Sequence, residues 1–79
     1  MLSADQAANE IKRIINDDPT ISEARHITVT AFRKGFIKKK ESIHLDGSVH
    51  NNIDRKKAED IARQYSGRRE LVNGIHIVE

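Results

Sequence analysis

Ile43-His44-Leu45-Asp46-Gly47-Ser48-Val49-His50 alternates apolar and polar residues, the period of a half-buried strand. Ile43, Leu45 and Val49 share one face, while His44, Asp46, Ser48 and His50 share the other. Gly47 has the apolar parity, which predicts either a bulge or room for a helix packed on the strand. Downstream, Asn51-Asn52 reads as a turn and Asp54 as a helix N-cap, with Ile53 placed to staple against Ala58. Ala58, Ile61, Ala62 and Tyr65 follow helical spacing, and Gly67 stands where a left-handed C′ residue ends a helix. Leu71, Ile75 and Ile77 then have the core parity of a last strand, interrupted at Asn73-Gly74.

Upstream, Ser3 and Gln6 form a capping-box pattern ahead of Ala7, Ala8, Ile11, Ile14 and Ile15, an apolar stripe that predicts a helix over 4–16. Pro19 disfavours helix at Asp18 and ends it. Ile21, in the connector, is placed to drop into the core. Ile27, Val29 and Ala31 then alternate with His26, Thr28, Thr30 and Phe32 as a first strand. Residues 33–42 connect the two strands, a long hairpin connection in which Phe36 and Ile37 either extend the strand past a bulge at Gly35 or project as a tip.

The order is α-β-β-α-β. A right-handed crossover makes the last strand parallel to the second. The expected fold is α+β: two helices packed on one face of a three-stranded mixed sheet, with the other face open. The 79 residues allow a single domain, 1–79.

The chain has no cysteine, so neither a disulfide nor a Cys-ligated zinc reinforces it. No apolar run approaches the ~20 residues of a membrane span. Met1-Leu2-Ser3-Ala4-Asp5 has neither a basic nor an apolar signal region, which fits a cytoplasmic protein or one whose leader is removed. Net charge is +2 but unevenly spread. Arg25, Arg33, Lys34, Lys38, Lys39 and Lys40 fall within residues 25–40, which hold no acid. Such a stretch attracts phosphates or anionic headgroups, although charge runs are commonly just solvated faces.

The strand Ile43-His44-Leu45-Asp46-Gly47-Ser48-Val49, then Ala58-x-x-Ile61-Ala62, Gly67 and Leu71-Val72-Asn73-Gly74-Ile75-His76-Ile77, resembles a BON domain, the family named for bacterial osmotically induced and nodulation proteins. The likeness covers nearly the whole chain in the family's order. Two features depart from it: Gly67-Arg68 replaces the usual Gly-Val, and the first hairpin connection is longer. The resemblance implies a bacterial, non-enzymatic module of the periplasm or cell envelope that contacts phospholipid surfaces, with an osmotic-stress association. It also implies a cytosolic alternative, since one class of such proteins senses potassium. The family has no agreed ligand residues, so none is carried over.

His26, His44, His50 and His76 all have non-core parity. Together on one open face they would suit a metal site or a protonation switch, and apart they are ordinary solvent-facing polar residues. No metal or other cofactor is assigned. Asp46 with His44, and Ser48 with His50, are same-face neighbours of a kind that arises by chance, and no nucleophile elbow, P-loop or metalloprotease motif accompanies them. The chain is therefore read as a non-enzyme. A KH-type nucleic-acid reading lacks its Gly-x-x-Gly loop, and stacking aromatics are scarce.

The expected site is an anion- or lipid-binding hairpin. Arg33, Lys34, Lys38, Lys39 and Lys40 supply attraction, and Phe36 and Ile37 insert shallowly. The expected partner is an anionic membrane surface or another envelope protein. The alternative is an assembly module in which the open face, with Phe32, Val72 and Val78, or a strand edge pairs with a second copy.

Overall fold

Ser3 accepts a hydrogen bond from the Gln6 amide, and the Gln6 side chain accepts one from the Ser3 amide, so the capping box forms as expected. It starts helix α1, Ala4–Asp17. The chain is represented by a computed structural model that describes residues 2–34 and 40–78. After α1 come a 3-10 turn at Ala24–His26, β1 at Ile27–Lys34, β2 at Lys40–Val49, α2 at Asn52–Ser66, β3 at Glu70–Asn73 and β4 at His76–Ile77.

β1 and β2 are antiparallel, in a register that sets Ile27 opposite Gly47 and Lys34 opposite Lys40. β3 and β4 both run parallel to β2, pairing with successive stretches of it. They are the single expected last strand, broken where expected. The Asn73 side chain accepts from the Ile75 amide at 3.1 Å, a local bond that turns the backbone out of the ladder.

α1 lies over β1, α2 lies over β2 and β3, and the helices touch each other. Both therefore cover one face of a mixed sheet. Ile11, Ile15, Ile27, Ile43, Leu45 and Val49 are its fully buried large side chains. Ala7, Ala8, Ala58 and Ala62 bring the helices close to each other and to the strands, and Ile21 and Ile75 close the core.

The expected connection over 33–42 is shorter than read, because Arg33, Lys34 and Lys40 to Ser42 belong to the β1–β2 ladder. Four further local expectations are corrected. Asn51, not Asp54, caps α2: its side-chain oxygen accepts from the Asp54 amide at 2.9 Å. Asn52 is consequently the first helical residue rather than part of a turn. Ile53 is then inside the helix and 66% exposed, so it staples nothing. Ile77 keeps core parity opposite Val49 but remains exposed, because the two-residue β4 is a sheet edge.

The fourth concerns Gly47, which neither bulges the strand nor makes room for a helix. Its pairing with Ile27 is one to one. Its φ is +115°, and a Cβ there would stand 1.9 Å from the His26 carbonyl oxygen. The glycine admits the backbone of the 3-10 turn as it becomes β1. Gly67 does end α2 with a positive φ of 65°, but as the C-cap rather than C′, and its ψ of −131° lies outside the left-handed helical region.

Candidate functional site

Strand parity divides the basic hairpin. Arg33 and Glu41 are register partners on the helix-covered side, and Arg33 Nε lies 3.2 Å from Glu41 Oε2. The other Glu41 oxygen takes Arg69 Nε at 3.2 Å. Arg69 also donates to the carbonyls of Ser66, at 3.3 Å, and Leu2, at 2.6 Å. One guanidinium thus ties the amino terminus and the end of α2 to the base of the hairpin.

Lys34 and Lys40 have the opposite parity. They face each other across the ladder on the open side, both exposed. Among the described residues neither makes an ion pair. Behind them on the same face lie Ser42 and His44, whose Oγ and Nε2 are 3.0 Å apart. Glu70 and Val72 of β3 stand beside these two in register. Together these side chains, with Glu41, line a concavity of about 250 Å³. Phe32 meets His44 edge to face with centroids 4.5 Å apart, and Phe32 and Val72 remain 45% and 37% exposed. Of the expected site, Phe36, Ile37, Lys38 and Lys39 lie outside the described residues.

The four histidines do not gather. His44 belongs to the concavity, and His76 pairs with Ser48 in β4. His26 and His50 converge instead on Glu23, with His26 Nδ1 3.4 Å and His50 Nε2 3.0 Å from the same carboxylate oxygen. His50 Nδ1 lies 3.1 Å from the Val78 carbonyl. The hydrogen bond to Glu23, then the one to Val78, holds the His50 imidazole above its ordinary pKa. Among the described residues there is no cluster of three metal-ligating side chains.

Three polar residues organise the fold in ways that periodicity does not reveal. The Lys12 ammonium donates to the carbonyls of Ala24 and Ile27, and its partial burial lowers its pKa. Asp54, buried at the third position of α2, accepts from the Ser22 amide and hydroxyl. Arg69 is the third. Each reaches a backbone or side-chain group distant in sequence, so a local pattern carries no sign of it.

No helix among the described residues is long and apolar enough to cross a membrane. The family model described as BON domain matches residues 3–79. The chain belongs to the BON domain family, a family of binding modules, in accord with its sequence motifs and its α-β-β-α-β order. A comparison with curated proteins finds no match.

Proposed function

We propose that this chain is a non-catalytic module of the bacterial envelope that docks on anionic phospholipid through the hairpin-base end of its sheet. The observation that carries the reading is the pair Lys34 and Lys40: exposed, directly opposed, and without an ion-pair partner among the described residues. The sequence adds Lys38 and Lys39 between them. Each lysine near an anionic surface contributes about 1 kcal/mol of attraction, which salt screens. Phe36 and Ile37 are the apolar residues of the same segment and would add shallow insertion. Arg33 is the weakest contributor, because its guanidinium is already engaged by Glu41.

Flotation with anionic and with zwitterionic vesicles, at low and at physiological salt, tests this. Salt-sensitive binding to anionic vesicles alone is expected. Equal binding to zwitterionic vesicles, or none to either, defeats the reading.

A second reading has its own observation. Phe32 and Val72 flank His44 on an open face that no helix covers. This arrangement favours pairing with a second copy or with another envelope protein. Sedimentation that depends on concentration, and loses that dependence in F32S, would favour assembly over lipid.

A further inference from the structure

Lys34 and Lys40 occupy one position of the β1–β2 register, on the same open face. Like charges directly opposite each other in an antiparallel pair repel. The carboxylates nearest to them do not remove that repulsion. Glu41 is shared between Arg33 and Arg69, each at 3.2 Å. Glu70 stands across from Ser42 on the neighbouring strand, and among the described residues it forms no ion pair with either lysine. Among the described residues the pair thus forms no ion pair, and it places two positive charges at one rim of the concavity, with Glu70 on the other.

The concavity supplies more than charge. If His44 donates from Nε2 to Ser42 Oγ, across their 3.0 Å contact, the Ser42 hydroxyl proton is free to point at a ligand. Two ammonium groups and one hydroxyl are three donors converging from two strands. A tetrahedral dianion offers enough acceptors for all three, and its two charges match the two lysines.

We propose that this concavity is a phosphomonoester site, in which one dianionic phosphate bridges Lys34 and Lys40 and accepts from Ser42. The inference deepens the membrane reading and rests on it only for a lipid source of the phosphate. A soluble phosphomonoester presents the same group. Glu70 opposes the anion from the other rim and limits its affinity.

The test is a titration of the full chain with glycerol 3-phosphate, followed by amide and side-chain NMR shifts, against sodium chloride at matched ionic strength. Flotation on phosphatidate vesicles, a monoester surface, runs beside phosphatidylglycerol vesicles, a diester surface of matched charge. Saturable shifts are expected at Lys34, Lys40, Ser42 and His44, and not at Lys56 or Lys57. K34Q and K40Q should each weaken glycerol 3-phosphate binding about tenfold, the scale of one charge-assisted hydrogen bond. E70Q should tighten it. Unchanged melting temperatures show that these exposed variants stay folded.

Glycerol 3-phosphate binding at these residues without flotation on either lipid upholds the site and assigns its phosphate to a soluble source, while defeating the membrane reading. Shifts spread over all lysines, or an affinity indifferent to K40Q, overturn the site. Flotation of the unaltered chain on both anionic lipids that weakens in K34Q and K40Q, with no saturable response to glycerol 3-phosphate, overturns the site and leaves the membrane reading standing.

Discussion

The Asp54 carboxylate accepts from the Ser22 hydroxyl at 2.9 Å and from the Ser22 amide at 3.3 Å, joining two residues 32 apart in sequence. This contact locks the connector after α1 onto the first turn of α2. A carboxylate there also faces the positive end of the helix. D54A should lower stability by about 1–2 kcal/mol, because it removes the charge-assisted hydrogen bonds from Ser22 that hold the connector on α2. S22A should cost less, since the Ser22 amide remains. Urea denaturation of both variants and their double checks this: the double should lose clearly less than the sum of the singles, as coupled neighbours do.

Gly47 should be irreplaceable. Alanine there would carry its Cβ to 1.9 Å from the His26 carbonyl oxygen at a φ of +115°. Backbone strain of this kind costs about 1–3 kcal/mol before the clash is counted. A core this small supplies only about 3–5 kcal/mol net. G47A should therefore show no cooperative thermal transition by circular dichroism at 25 °C and above.

His50 should make stability depend on pH. The Glu23 carboxylate and the Val78 carbonyl are both acceptors, and they bracket its two ring nitrogens. Only the imidazolium has a proton for each. Its pKa is raised in the folded chain, so the stabilisation is fully present below the unfolded value of about 6.5 and fades as pH rises through the folded value. Among the described residues, Glu23 before the 3-10 turn, His26 in it and Asp54 from α2 are the charged or titratable neighbours. The melting temperature should fall between pH 6 and pH 8, and H50Q or E23Q should flatten that slope. A slope unchanged in both variants would sink the assignment.

The hairpin cations should not be equivalent in vesicle binding. Arg33 is engaged by Glu41, whereas Lys34 and Lys40 are not so engaged. R33Q should therefore reduce flotation on anionic vesicles less than K34Q or K40Q does. A larger loss in R33Q would place the contact surface on the helix-covered side of the hairpin.

Element order and faces were legible because they depend on local period. Ile27, Val29, Ala31, Ile43, Leu45 and Val49 declare their side of the sheet by alternation alone, and Ala58 and Ala62 declare theirs by helical spacing. What periodicity misses is set by neighbours far away in the chain. Asp54 has the right chemistry for a cap, but Asn51 competes for that position three residues earlier and wins. Gly47 marks a close approach, yet the approaching group, the His26 carbonyl, comes from the 3-10 turn that leads into the partner strand. Of the candidate site, the lysine run was legible as charge. Its division into a Glu41-paired Arg33 and an opposed Lys34–Lys40 pair needed the register, because a shift of one residue exchanges the two faces.

Among the described residues, every ladder of the sheet includes β2, with β1 on one side and β3 and β4 on the other. A backbone cut between residues 34 and 40 would leave α1 and β1 in one fragment and β2, α2, β3 and β4 in the other. All the pairing lost would be the single β1–β2 ladder, along with the contacts of α1 with β1's partner strand and with α2. Neither piece would keep a complete core, but the second would keep its crossover intact. Split there, the two pieces would have to complete one core between them, so folding would become an association governed by fragment concentration.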